Sequence, residues 1–114
     1  MMEDYEKSEF EEHIKCGQEC MEKGDYSESE SSFVSALLLC FSSDDENEAL
    51  ARLNLGVLYT YTGDYGKACS YLGDVLRIFP NNALARKTLE YIRQVCVGPN
   101  LVHKFVAEKY LGYQ

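Results

Sequence analysis

The chain is predicted to be all-α, built from antiparallel helix-turn-helix repeats, on three observations. Only two prolines interrupt its 114 residues, so helices can run almost anywhere along it. The tripeptide Gly-Asp-Tyr occurs twice, at Gly24-Asp25-Tyr26 and Gly63-Asp64-Tyr65, each time between two stretches of helical patterning. Further on, Ala85, Leu89 and Ile92 place apolar side chains at i, i+4 and i+7. Each glycine suits the positive φ just beyond a helix end. Each aspartate suits the start of the next helix, where a carboxylate meets free N–H groups and the positive end of the dipole. The same hairpin is therefore written twice.

The elements follow in order. Ser8-x-x-Glu11 reads as a capping box that opens the first helix, which leaves residues 1–9 as an acidic arm. That helix ends at Gly24, and a second runs from Tyr26 towards Phe41. Residues 41–47 form the most polar, loop-like stretch, and within it Ser43-x-x-Glu46 is a second capping box that opens the third helix. Gly63 ends the third helix and Pro80 the fourth, after which Asn81-Asn82 leads into a fifth over residues 83–96. Gly98-Pro99 stops it, and Leu101–Leu111 makes a last helix with Leu101, Val102, Phe105, Val106 and Tyr110 as its apolar stripe.

Residues 49–82 resemble a tetratricopeptide repeat at Leu55, Gly56, Tyr59, Gly63, Tyr65, Ala68 and Pro80, in that family's spacing. Small Gly56 and Ala68 let the paired helices approach, while Tyr59, Leu72, Val75 and Leu76 fill the space between them. A first unit over about residues 10–42 matches more loosely, at Gly17, Gly24, Tyr26, Phe33 and Ala36. Cys16 and Cys20 take places usually held by larger packing residues, Ser29 replaces a small alanine, and Phe41 stands where proline is usual. From Gly24 to Gly63 is 39 residues, five more than the family's period of about 34, and the surplus falls in the polar loop. The resemblance implies a right-handed solenoid of two repeats followed by C-terminal capping helices. The chain divides into an acidic arm (1–9), a repeat domain (10–97, with repeats about 10–42 and 49–82 and a capping helix 83–96) and a C-terminal helix (98–114).

Charge and composition exclude several functions. No apolar run approaches the roughly 20 residues of a membrane span. The first residues are acidic, without the basic-then-apolar pattern of a secretory leader, so a cytoplasmic protein is expected. Five cysteines with no Cys-x-x-Cys pair are expected to be reduced and mostly packed. Residues 1–48 carry fifteen acids against three bases, and residues 49–114 carry four acids against eight bases. A net charge of −8 disfavours nucleic acid, which demands a concentrated basic face. An acidic half can steer a basic partner, but solubility is its more ordinary purpose.

The resemblance places a partner-binding groove along the first helix of each hairpin. Its predicted residues are Ile14, Gln18, Leu50, Leu53, Asn54, Val57, Tyr61, Leu84, Thr88 and Tyr91, flanked by Glu11, Lys15, Met21, Glu22, Thr60, Lys87 and Val95. One variant of the family clamps the acidic C-terminal carboxylate of heat-shock chaperones with two lysines, two asparagines and an arginine. Those places hold Ile14, Gln18, Asn54, Leu84 and Thr88 here, so the three cations are missing and that ligand is rejected. Aliphatic residues and tyrosines suit an apolar or amphipathic segment instead. The competing expectation is that the C-terminal helix folds over the apolar patch, or that a homodimer buries it.

Chemistry has little foothold. His13, Cys16 and Cys20 share one helix face at i, i+3 and i+7, yet the register assigns them to inter-helix packing, so no metal is expected. His103 stands alone. Phosphate loops, Gly-x-Ser-x-Gly and His-Glu-x-x-His are absent, so neither an enzyme nor a cofactor is expected. The expected function is an interaction module, an adaptor or scaffold subunit. The alternatives are a small acidic chaperone for assembly or secretion and a self-associating structural subunit.

Overall fold

The structure, a computed structural model, describes residues 2–40 and 45–113. Six helices account for most of them: α1 (Asp4–Glu22), α2 (Tyr26–Leu38), α3 (Asp45–Thr62), α4 (Tyr65–Ile78), α5 (Ala83–Val95) and α6 (Leu101–Leu111). A short 3-10 turn over Gly98–Asn100 precedes the last of these. Both Gly-Asp-Tyr turns have the conformation their glycines predict, with φ of 81° at Gly24 and 82° at Gly63. The chain turns back on itself there: the Asp25 N–H donates to the Cys20 carbonyl at 2.8 Å, and the Asp64 N–H to Tyr59 at 2.9 Å. Asp64 also caps α4 by accepting from the Lys67 N–H at 3.4 Å, whereas Asp25 makes no such bond.

Each hairpin closes where glycine removes a side chain. A methyl group on Gly17 would lie 2.4 Å from the Phe33 ring, and one on Gly56 would lie 2.6 Å from Leu72. Phe33 and Leu72 thus rest directly on the backbone of the facing helix. Ser29, in the alanine place, is fully buried and donates to the Gly17 carbonyl at 2.7 Å, so its hydroxyl is satisfied. The hairpins then stack: α2 packs on α3 and α4 on α5, while α1, α3 and α5 touch in succession along one side. Phe10, Phe33, Leu55, Leu58, Leu72, Leu89 and Ile92 run through the core of all three hairpins. Tyr59 links the first two by donating to Glu30 on α2 at 2.5 Å; burial and that carboxylate raise its phenol pKa well above the ordinary value. Arg52 reaches across the second hairpin to Asp74 at 3.1 Å and lies over the Tyr71 ring.

The two C-terminal helices, predicted as caps, form a third hairpin. They run antiparallel: Arg86, at the start of α5, donates to the Leu111 carbonyl at the end of α6 at 3.2 Å. The docking face of α6 differs from the predicted stripe. Ala107 and Leu111 are buried and Val106 partly so, whereas Val102 and Phe105 are each 58% exposed. The cause lies on α4, whose Gly66 and Gly73 receive His103 and Tyr110 in close contact. The helix therefore docks through 103, 106, 107, 110 and 111, and the greasier Leu101, Val102 and Phe105 face outward.

Two further expectations are corrected. The first helix starts at Asp4, not at Ser8: the Glu6 carboxylate accepts from the Glu3 N–H at 3.1 Å, and most of the acidic arm is its first turns. Cys16 is exposed rather than packed between helices, and Cys20 and His13 are only partly buried, because Gly17 takes the close contact with α2 and leaves Cys16 at its edge beside Ser32. Phe41 and the cap proposed at Ser43 lie outside the described residues. No helix among the described residues is long and apolar enough to cross a membrane.

Candidate functional site

The succession α1, α3, α5 leaves two adjoining clefts on its open side. The first, of about 630 Å³, lies between α1 and α3 and is lined by Gln18, Met21, Glu22, Tyr26, Leu50, Leu53, Asn54, Val57, Tyr61 and Leu84. The second, of about 590 Å³, lies between α3 and α5 and is lined by Val57, Thr60, Tyr61, Thr62, Gly63, Tyr65, Leu84, Lys87, Thr88 and Tyr91. Val57, Tyr61 and Leu84 belong to both, so the two form one continuous groove.

Nine of the ten predicted groove residues line it. Ile14 does not: it is buried in the core, on the apolar stripe of α1 that also holds Phe10 and Gly17. Of the flanking positions, Met21, Glu22, Thr60 and Lys87 line the groove, whereas Glu11, Lys15 and Val95 do not. Tyr26, Thr62, Gly63 and Tyr65 line it without having been predicted. They sit at the two Gly-Asp-Tyr turns, so the same motif that marks the hairpins also marks this end of the groove.

The groove wall is open and apolar. Tyr61 is 65% exposed, Tyr91 51% and Leu84 48%. Polar groups on its floor are already used within the protein. The Asn54 amide donates to the Leu50 carbonyl at 2.8 Å and accepts from the Gln18 amide at 3.2 Å. Thr60 and Thr88 donate to Gly56 and Leu84 of their own helices at 2.8 and 2.7 Å. An apolar partner can therefore settle there without leaving those groups unpaired. No residue of α6 lines either cleft; that helix packs on α4 and α5 and leaves the groove uncovered.

Reactive chemistry has no comparable arrangement. Among the described residues no three His, Cys, Asp or Glu side chains gather as a metal site. His13 faces Glu9 at 3.8 Å, and the Cys16 sulfur accepts from the Ser32 hydroxyl at 3.4 Å. Burial pushes the Cys69 thiol up to about 11 and raises Cys96 and Cys20 as well, which holds these thiols in the unreactive protonated form.

Residues 49–82, the second hairpin of this stack, match the family described as the tetratricopeptide repeat. No curated protein and no solved structure matches the chain. With the motif spacing, the antiparallel hairpin and the family match in agreement, residues 49–82 form a tetratricopeptide repeat, the unit of a family of typically non-enzymatic protein–protein interaction modules.

Proposed function

We propose that this protein is an adaptor or scaffold subunit that seats an apolar or amphipathic segment of a partner protein in the groove along α1, α3 and α5. The observation that carries this reading is the pairing of exposed aliphatic and tyrosine side chains with a polar floor already satisfied internally. Such a surface gains from burying apolar area at about 25 cal/mol per Å² and has little polar desolvation to offset. Tyrosine anchors on a rigid helical scaffold are the side chains expected to dominate binding. The five carboxylate-clamp places hold Ile14, Gln18, Asn54, Leu84 and Thr88, with no cation among them, so heat-shock C-termini are outside its ligand class. Lys87 is the single basic lining residue among those described, which is far from a nucleic-acid face. The chain has five cysteines with no Cys-x-x-Cys pair among them, which suits a protein working in a reducing cytoplasm.

The test is selection of twelve-residue peptides from a random display library on the immobilised protein, followed by affinity measurement of the winners. They should be rich in apolar residues, and Leu84→Asp and Tyr61→Ala should each weaken them at least tenfold while Phe105→Ser does not. Winners that bind both groove variants at full strength would place the interaction elsewhere on the molecule.

A further inference from the structure

The groove carries an uncompensated charge at each end. Among the described residues, Glu22 is the one acidic or basic side chain lining the first cleft, and Lys87 is the one lining the second. Both are exposed, and neither has an ion pair or hydrogen bond to another described side chain. Their surroundings have the same signs. Across α1 and α2 nine acids stand against two bases. Across α5 and α6 five bases stand against two acids, one of which, Glu90, is already held by Arg93 at 2.6 Å.

We propose that the groove selects a peptide segment with a basic side chain at one end of an apolar run and an acidic side chain at the other, received by Glu22 and Lys87 respectively. This rests on the groove being the docking site and specifies what docks there. The apolar run lies over the shared wall of Val57, Tyr61 and Leu84. Two helix-to-helix steps of about 8–10 Å separate α1 from α5, so the two charges stand roughly 20 Å apart. An extended segment covers that span in about six residues. Opposite charge at the two ends also sets the direction in which the partner lies. A partner with the same charge at both ends meets repulsion at one of them.

Four labelled peptides test this, each acetylated and amidated so that terminal charges are absent. They share one apolar centre and differ six residues apart in their end pairs: Lys/Glu, Lys/Lys, Glu/Glu and Gln/Gln. Binding is read by fluorescence anisotropy at low and at high salt. At low salt the Lys/Glu peptide should bind about threefold to tenfold tighter than Gln/Gln, the range expected for two solvent-exposed ion pairs. High salt should erase that margin. Lys87→Glu should transfer the preference to Lys/Lys, and Glu22→Lys should transfer it to Glu/Glu. Both sites are on the surface, and unchanged thermal unfolding confirms that each variant is folded. Equal affinity for all four peptides overturns the charge reading and leaves the groove standing. Failure of all four, Gln/Gln included, overturns the groove assignment and this inference together.

Discussion

At the scale of single residues, the fold depends on places where a side chain is missing. Gly17 and Gly56 are the facing partners of Phe33 and Leu72, which are fully buried and have no room to retreat. Gly73 meets Tyr110 at a comparable distance, 2.4 Å from an added methyl, but Tyr110 is 41% exposed and its ring can swing into solvent. The three glycines should therefore respond differently to the same change. Gly17→Ala and Gly56→Ala are each expected to lose about 1–3 kcal/mol through overpacking, and Gly56→Leu more than its alanine counterpart. Gly73→Ala should lose well under half of that. Chemical denaturation of the three alanine variants checks the order. Trimming the opposing side chain in Gly56→Ala/Leu72→Ala should recover part of the overpacking loss, so the pair should be non-additive. Equal losses at all three positions would mean that the close contacts do not set the helix spacing.

At the scale of elements, α6 shows how a helix chooses its buried face. It is apolar on nearly every side, with Leu101, Val102, Phe105, Val106, Ala107, Tyr110 and Leu111 in eleven residues. Complementarity with Gly66 and Gly73 on α4 picks the face, and hydrophobicity does not. Leu111→Ala is accordingly expected to cost about 2–4 kcal/mol, whereas Phe105→Ser should stay within about 0.5 kcal/mol. Thermal melts of the two proteins decide it, and a larger loss at Phe105 would restore the stripe read from the sequence. This example also marks how far the sequence could be read. The turns at Gly24 and Gly63, the close packing at Gly56 and the cap at Asp64 were legible, because positive φ, close approach and free N–H groups each demand particular residue types. The groove residues of α3 and α5 were legible through the repeat register. The start of α1 was not, since Glu3 is a less usual cap residue than Ser8. Nor was the burial of Ile14, which shares one face of α1 with Phe10 and Gly17.

At the scale of the whole molecule, three hairpins in a row make an extended body of 45 × 29 × 18 Å in which each hairpin packs chiefly on its neighbours. Stability in such an array is close to a sum of local terms, so the ends open more readily than the middle. The α3/α4 hairpin is packed on both sides and α1/α2 on one, and amide exchange in the free protein should be slowest in α3 and α4. The groove cuts across this arrangement, because its clefts draw walls from α1, α3 and α5. A peptide filling both clefts ties the first hairpin to the third, which otherwise communicate chiefly through the second. At a free concentration one hundred times its dissociation constant it should add about 2.7 kcal/mol to the bound state. Most of that gain should appear where opening was easiest and the peptide touches, in the last turns of α1 around Gln18–Glu22 and the first turns of α5 around Leu84–Tyr91. The outward face of α6, which lines neither cleft, should change least. Exchange measured with and without the Lys/Glu peptide distinguishes this from its rivals. Protection gained in α6 alone would locate binding on Val102 and Phe105. Protection in α5 without α1 would mean that only the second cleft is occupied, and that the two clefts do not act as one groove.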